Sequence, residues 1–289
     1  SPAPLFEFAV DYWNSCALFA AIELGIFEAI GDGGAGADNL QRTLDLPARP
    51  LSMLLDALTA MAVLDRGDDG RIRHTPMSAA FLRLGEPGYL GDTIMFNART
   101  FGAWGDLAGA VRRDAPPQSA NLFLGEDPEA TENFVLAMHH RALGVARCLV
   151  QMLNLEDRRT LLDVGGGPAT YTRLLVETYP DLHARVLDLP AVVDIARKLI
   201  SDSAARDRIE LVPGDMFNDE FGADYDAVLM SGVLHRTEGD GLSAMIKKGA
   251  DALVPGGILA VSDLFTGRPD PGPVLPELFS LHMLVTAEA

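Results

Sequence analysis

The chain has 289 residues, 48% of them hydrophobic, and a formal net charge of -18 from 41 acidic against 23 basic residues. That length and composition suit an ordinary soluble globular protein of one large or two smaller domains. Only three of the bases are lysines (Lys198, Lys247 and Lys248), so the surface repels phosphate backbones and no nucleic-acid partner is expected.

Cys16 and Cys148 lie far apart in the chain, which argues against a disulfide framework and for a reducing, cytoplasmic setting. The opening SPAPLFEF has neither the basic nor the apolar region of a targeting peptide. No apolar run reaches the ~20 residues that span a bilayer, so no membrane partner is expected.

Leu5 to Ile30 carries a nearly continuous helical pattern, interrupted near its end by Gly25, with Phe6, Val10, Trp13, Ala17, Ala20, Ala21 and Leu24 on one face. The stripe is broader than a surface helix needs. Either a partner subunit or the chain's own later helices must cover it. After the flexible GDGGAGA come two helix-like segments, Asp38 to Leu44 and Arg49 to Val63. Short strands at Val63 to Asp65 and Arg71 to His74 then flank a turn, which completes a winged-helix pattern. DNA binding is the obvious use of such a unit, and a non-enzymatic regulator is the corresponding reading. Residues 1 to 100, however, hold seven arginines and no lysine against thirteen acids, the wrong sign for a phosphate surface.

Phe81 to Leu155 is rich in helix formers around a loop with Pro116 and Pro117. Trp104, Leu107 and Val111 share one face, and Phe134, Met138 and Arg141 repeat the spacing. Core packing and the wall of a ligand pocket are both open readings for Met138.

Thr160 to Asp188 reads as strand, glycine loop, helix, strand. Leu161, Leu162 and Val164 form an unalternated apolar run, as a strand buried on both faces of a parallel sheet requires. Gly165, Gly166 and Gly167 follow, then a helix over Thr170 to Tyr179, then a strand Ala184 to Leu187 that delivers Asp188. Asp163 and Asp188 are expected at the same edge of the sheet, where ligands of open α/β folds bind. Pro168, Ala169 and Thr170 follow the second fingerprint glycine, so the third glycine of the dinucleotide pattern is absent, which argues against NAD or FAD. An acid before the loop and another after the next strand suit a ligand with a ribose diol and a cationic head, and S-adenosylmethionine has both.

Beyond Asp188 the alternation continues. A helix begins at Pro190 and runs to Ile200, and strands are expected at Arg208 to Val212, Tyr225 to Met230 and Ile258 to Ser262. A helix over Leu242 to Leu253 is expected to stop at Pro255-Gly256-Gly257. Helices of this length between strands imply right-handed crossovers in one parallel sheet, an α/β fold.

LLDVGGG, LDLP, GDMF, VLMSGVLH and LVPGGILAVSD, in this order, resemble class I S-adenosylmethionine-dependent methyltransferases. More narrowly they resemble the small-molecule O-methyltransferases of the caffeic-acid and acetylserotonin type and their bacterial polyketide-tailoring relatives. The resemblance implies a Rossmann-like catalytic domain over 156–289, preceded by connecting helices at 97–155 that line the pocket and a winged-helix-like dimerisation domain at 1–96. It implies a homodimer whose entwined N-terminal helices help close each pocket. In that family the sheet is finished by a further helix and an antiparallel hairpin; by the resemblance this sequence is either trimmed or has shed that edge of the sheet.

By the same resemblance Gly165, Gly167 and Asp163 would hold the cofactor's amino-acid end, with the capping of backbone amides as the other role open to Asp163. Asp188, with Leu189 beside it, would accept from both ribose hydroxyls. Asp215 would face the adenine amino group, Met216 would pack on its ring, and Ser231 would stand where relatives carry a lysine near the cofactor. His235 matches the family's catalytic histidine, a general base that takes the proton from an attacking phenol. The family usually continues His-Asp-Trp, whereas this chain continues His235-Arg236-Thr237. Asp263 is the preferred orienting acid, ahead of Glu238 and Asp240. Met138 and His282 are candidates for the acceptor pocket, and His139 and His140 lie on a segment that could also line it. No cluster has metal-ligand spacing, which argues against a metal-dependent catechol mechanism. The expected activity is methyl transfer to a hydroxyl of an aromatic or polyketide-like molecule, releasing S-adenosylhomocysteine. The alternatives are N- or C-methylation, or hydroxylation or decarboxylation on the same fold.

Overall fold

The computed structural model describes residues 1–267 and 274–287. The chain divides into two compact units, Ser1–Arg99 and Thr100–Ala289. No helix among the described residues is long and apolar enough to cross a membrane.

The first unit opens with helices Ala3–Val10, Tyr12–Glu23 and Ile26–Ile30. The single expected helix is thus divided at Asp11 and at Gly25, whose φ of 69° lies in the left-handed region that costs glycine little. Helices Ala37–Leu44 and Ala48–Ala60 follow, then strands β1 (Leu64–Arg66) and β2 (Ile72–His74), and helix Pro76–Phe81. The two strands pair antiparallel with Leu64 opposite His74. Thr75 caps the last helix through a reciprocal capping box with Ser78. Ile26, Phe27, Leu40, Leu55, Leu58, Leu64 and Ile72 close the core. Burial of each such side chain stabilises by about 1.5–3 kcal/mol. The first helix buries nothing. Leu5, Phe6 and Phe8 are about 70% exposed and Trp13 60%, whereas Ala21 is fully buried, so the later helices of this unit cover only the far end of the stripe.

In the second unit the helix Leu107–Arg113 and the long helix Pro128–Met152 precede the sheet. Asp127 accepts from the backbone N–H groups of Glu129 and Ala130, which fixes where the long helix starts. The strands are β3 (Thr160–Val164), β4 (His183–Asp188), β5 (Ile209–Pro213), β6 (Tyr225–Ser231) and β7 (Leu253–Ser262), separated by helices Thr170–Thr178, Pro190–Leu199 and Gly239–Asp251. All pairings are parallel, in the spatial order β5-β4-β3-β6-β7. Leu161, Leu162 and Val164 are fully buried in the central strand, as their unalternated run requires. Because the order reverses between β3 and β6, the loops leaving these strands diverge and open a crevice above their carboxyl ends.

One expected boundary is wrong. Pro255-Gly256-Gly257 does not end a helix, because the preceding helix stops at Asp251 and the triplet lies inside β7. Tyr225 pairs with Leu253 and Ala227 with Ile258, so the proline and glycines bulge out of the ladder. A proline lacking an N–H is tolerated at such a bulge.

Candidate active site

The glycine loop turns directly off the end of β3. Gly165 (φ 63°) donates its N–H to the Leu187 carbonyl at 2.8 Å, and a Cβ there would stand 2.5 Å from Val233 Cγ1. Gly167 (φ 54°) donates to Asp188 Oδ2 at 2.7 Å, while Leu189 N–H donates to Asp188 Oδ1, also at 2.7 Å. Asp188 therefore ties the loop to the end of β4. Each of its oxygens keeps a lone pair, which is what a ribose diol needs. Burial pushes its carboxyl above the usual range, and the two backbone donors oppose that rise.

Asp163 is not at the open edge. It pairs with Val186, two residues short of Asp188, and is 1% exposed beneath the loop. The Thr172 hydroxyl donates to its Oδ2 at 2.5 Å. Burial raises its carboxyl to about 7, against the Thr172 bond and with the added repulsion of Asp188. A cation placed above it would ionise it.

After β5, Asp215 caps its own turn, accepting from Phe217 N–H and the Asn218 amide. Met216 lies over the loop, its sulfur 3.5 Å from where a Gly165 Cβ would stand. Among the described residues nothing beyond its chain neighbours lies within 4 Å of a Cβ placed on Gly167, so the loop faces open space at that point. An acid with lone pairs to spare, a buried acid beneath the loop, a polarizable sulfur and open space fit an adenosyl ligand with a cationic amino-acid tail.

A short 3-10 turn, Leu234–Arg236, follows β6. His235 Nδ1 lies 2.9 Å from Asp263 Oδ1. The same carboxylate accepts from the backbone N–H of Leu234 (3.0 Å), His235 (3.4 Å) and Leu264 (2.8 Å). Burial alone would raise the Asp263 carboxyl, but the His235 hydrogen bond and these backbone donors hold it below its ordinary value. Ionised Asp263 only accepts, so Nδ1 carries the proton and Nε2 presents a lone pair. Glu238 instead precedes the next helix at its N-cap and Asp240 lies in its first turn.

Beside His235 stands an aromatic cluster. The Phe279 ring meets His235 edge-on at 5.0 Å and His282 at 5.9 Å, and Trp104 Nε1 donates to His282 Nδ1 at 3.1 Å. Burial pushes the His282 imidazole below its usual range, and the positive charge of Arg141 adds to that effect. Burial pushes the Tyr171 phenol above its usual range, and Ser231 opposes that rise. Met138 is half-buried on the long helix, and the neighbouring His139 bonds the Thr170 hydroxyl at 2.7 Å.

Several of these residues escaped the sequence reading. Tyr171 and Thr172 fall in the first turn of the helix after the loop, a place from which side chains reach the strand ends. Phe279 gave no signal beyond its apolar type. Arg236 was visible only as a departure from His-Asp-Trp. Burial pulls its guanidinium below the usual range, and the charges of Asp188 and Asp215 oppose that, so it lies in the field of the two acids expected around adenosine.

Residues 104–289 match the O-methyltransferase domain family, and residues 6–83 match the O-methyltransferase dimerisation domain family. The 3-hydroxy-5-methyl-1-naphthoate 3-O-methyltransferase of Streptomyces sahachiroi is 34% identical over 98% of this chain and 83% of its own length. The N,N-dimethyltransferase OxyT of Streptomyces rimosus is 28% identical over 91% and 78%. Among solved structures, PigF with S-adenosylhomocysteine superimposes with a TM-score of 0.87 at 26% identity, over all of this chain and 88% of that one. A glycine loop at the switch point of a parallel sheet, matched together with its N-terminal partner domain, leaves one conclusion: the chain belongs to the O-methyltransferase family that uses S-adenosylmethionine.

Proposed function

We propose that this O-methyltransferase methylates a hydroxyl of an aromatic or polyketide-like small molecule, with His235 as general base and Asp263 as its orienting acid. The observation that carries the assignment is the His235 Nδ1 to Asp263 contact of 2.9 Å, with no partner on Nε2 among the described residues and an aromatic cluster beside the ring. Bound S-adenosylmethionine supplies an electrophilic methyl on a sulfonium sulfur. Gly165, Gly167 and Asp163 hold its amino-acid end, Asp188 and Leu189 the ribose, and Asp215, Met216 and Ser231 the adenine side. His235 Nε2 takes the acceptor proton as the oxygen attacks, and Asp263 stabilises the imidazolium that forms. Met138 and His282 border the acceptor, and Phe279 and Trp104 keep water from its ring.

We assign dimerisation to residues 1–96, the connecting helices to 97–155 and cofactor binding to 156–289. The exposed stripe of Leu5, Phe6, Phe8 and Trp13 supports a homodimer, since a second copy would remove it from water. The unpaired thiols of Cys16 and Cys148 suit a cytoplasmic setting.

Methyl-labelled S-adenosylmethionine and a panel of phenols test the mechanism, comparing the wild type with His235→Ala. Label on a phenolic oxygen, lost in the variant, is the expected result. Transfer at an unchanged rate in the variant would remove His235 from the chemistry.

A second reading, N-methylation, is favoured by His235-Arg236-Thr237 in place of His-Asp-Trp and by the similarity to an N,N-dimethyltransferase. An amine needs less help from a base than a phenol does. Amine acceptors methylated equally by wild type and His235→Ala would establish that reading instead.

A further inference from the structure

The turn that carries Asp215 and Met216 is held from outside by a side chain to which the mechanism above gives no role. Gly214 donates its N–H to the Asp188 carbonyl at 2.8 Å, which ties the start of the turn to the end of β4. Within the turn the Asp215 N–H donates to Asp219 Oδ2 at 2.7 Å, and the Asp215 carbonyl accepts from the N–H groups of Asn218 and Asp219. The far side is closed by Lys248. Its Nζ donates to the Met216 carbonyl at 3.1 Å and to the Asp219 carbonyl. The same cation lies 4.3 Å from the centroid of the Phe221 ring, an attraction that favours keeping the charge there.

Lys248 stands on the helix Gly239–Asp251, and its neighbour seats that helix firmly. Gly249 is buried, and a Cβ there would stand 2.4 Å from Met230 Cε and 3.3 Å from Leu259 Cδ1, so the helix lies close against β6 and β7 at this point. Lys247, one residue earlier, instead pairs with Asp251 of its own helix in an exposed contact that contributes little.

The bond to Met216 has a specific consequence. The Met216 carbonyl and the Phe217 N–H belong to one planar peptide unit and point in opposite directions. That N–H donates to Asp215 Oδ1 at 2.9 Å. A donor that fixes the carbonyl on one side of the plane therefore fixes, on the other, the bond that orients the Asp215 carboxylate. The Asn218 amide holds the second oxygen at 2.6 Å, and each oxygen keeps a lone pair for a ligand.

We propose that Lys248 is a positioning residue for the adenine of the cofactor: through the Met216–Phe217 peptide plane it aims the Asp215 carboxylate at the adenine amino group and keeps Met216 in place for the ring. The proposal rests on the adenine contacts assigned above to Asp215 and Met216, and adds what holds them before the cofactor arrives. A turn ordered in advance spares binding the cost of ordering it.

The test titrates the full chain by calorimetry with S-adenosylhomocysteine and with S-inosylhomocysteine, in which an oxo group replaces the adenine amino group. The wild type should favour the adenosyl ligand by about tenfold or more, because the oxo group leaves the Asp215 acceptor unpaired. Lys248→Met keeps the unbranched side chain and removes the donors. It should bind the adenosyl ligand about tenfold more weakly, with the preference cut to about threefold or less. Lys248→Arg should restore part of both. General loosening of the fold would weaken the two ligands alike, so a preference left intact in Lys248→Met overturns the proposal. Asp215→Ala separates that failure from a failure of the adenine assignment. A preference lost in Asp215→Ala and kept in Lys248→Met removes the role of Lys248 alone. A preference absent from the wild type, or surviving in Asp215→Ala, removes the adenine contact of Asp215 and the positioning role with it.

Discussion

Asp263→Asn tests the orienting role proposed for this carboxylate. The side chain is 5% exposed and accepts four contacts, two on each oxygen: His235 Nδ1 and Leu264 N–H on Oδ1, and the Leu234 and His235 N–H groups on Oδ2. Asparagine keeps one acceptor oxygen and turns the other into a donor. If the oxygen stays with His235, the new amide faces the N–H of Leu234 and the turn that carries His235 is loosened. If it flips, the amide donates to Nδ1, the proton moves to Nε2, and the lone pair that takes the acceptor proton is gone. Either way the negative charge that stabilises the imidazolium is absent. A hydrogen bond to a charged group contributes about 1.5–3 kcal/mol, and at about 1.4 kcal/mol per tenfold the expected loss in kcat is one to two decades. The assay is single-turnover transfer of labelled methyl, with calorimetric S-adenosylhomocysteine affinity as the measure of an intact cofactor site. His235→Ala combined with Asp263→Asn should be no slower than His235→Ala alone, because both act on one proton transfer. Additive losses, or a decrease below about threefold with cofactor affinity retained, would show that Asp263 does not act through the imidazole.

The buried acid under the loop gives a pH signature. Asp163 rises from an ordinary 3.8 to about 7 in the fold. Between these values the native state holds a proton that the unfolded chain has lost, so this group's contribution to stability falls as pH rises from about 4 to about 7 and is level above. A cationic ligand tail favours the ionised form, so S-adenosylmethionine affinity should climb with pH up to about 7, with proton release on binding at pH 6. Calorimetry in buffers of different ionisation heat reads that release, and an identical slope in Asp163→Asn would exclude this carboxyl as its source. Gly165→Ala places a Cβ 2.5 Å from Val233 Cγ1 at a φ of 63°. A left-handed alanine costs roughly 1–2 kcal/mol before any clash, so thermal stability should drop and cofactor binding should weaken at least about tenfold; normal affinity would mean that the loop relaxes freely. Phe6→Glu with Trp13→Glu should dissociate a dimer that buries this stripe, each ring being worth about 1.5–3 kcal/mol when covered. Light scattering reads the mass, and an unchanged dimer would place its interface elsewhere.

The catalytic unit was legible because its signals are local. The run Leu161–Val164 reads as a strand buried on both faces, glycines favour the left-handed turn at Gly165 and Gly167, and Pro190 marks the start of its helix by its own φ preference. The LDVGGG, LDLP and GVLH segments fall at strand ends because parallel crossovers return every strand in the same direction. The bulge at Pro255-Gly256-Gly257 was misread for the converse reason. Proline and glycine break a helix and bulge a strand with equal ease, and only pairing with β6 separates the two.

What depended on contacts distant in sequence was not legible. Asp163 was placed at the open edge, yet its register against Val186 and the Thr172 hydroxyl nine residues on set it beneath the loop. The choice of Asp263 over Glu238 and Asp240 was made by the β6–β7 pairing, which brings Ser231 level with Ser262 and so the two following loops together. Trp104, Arg141 and Phe279 stand on helices Gly91–Gly105, Pro128–Met152 and Leu275–Thr286 with no shared periodicity, and their gathering beside His235 follows from how those helices pack. Composition, glycines and strand runs made the fold class and the glycine loop legible, because backbone conformation and burial act within a few residues, while His235 was singled out by the family resemblance alone. The surroundings of His235 were decided by tertiary structure, since side chains brought together across more than a hundred residues leave no pattern in the chain that carries them.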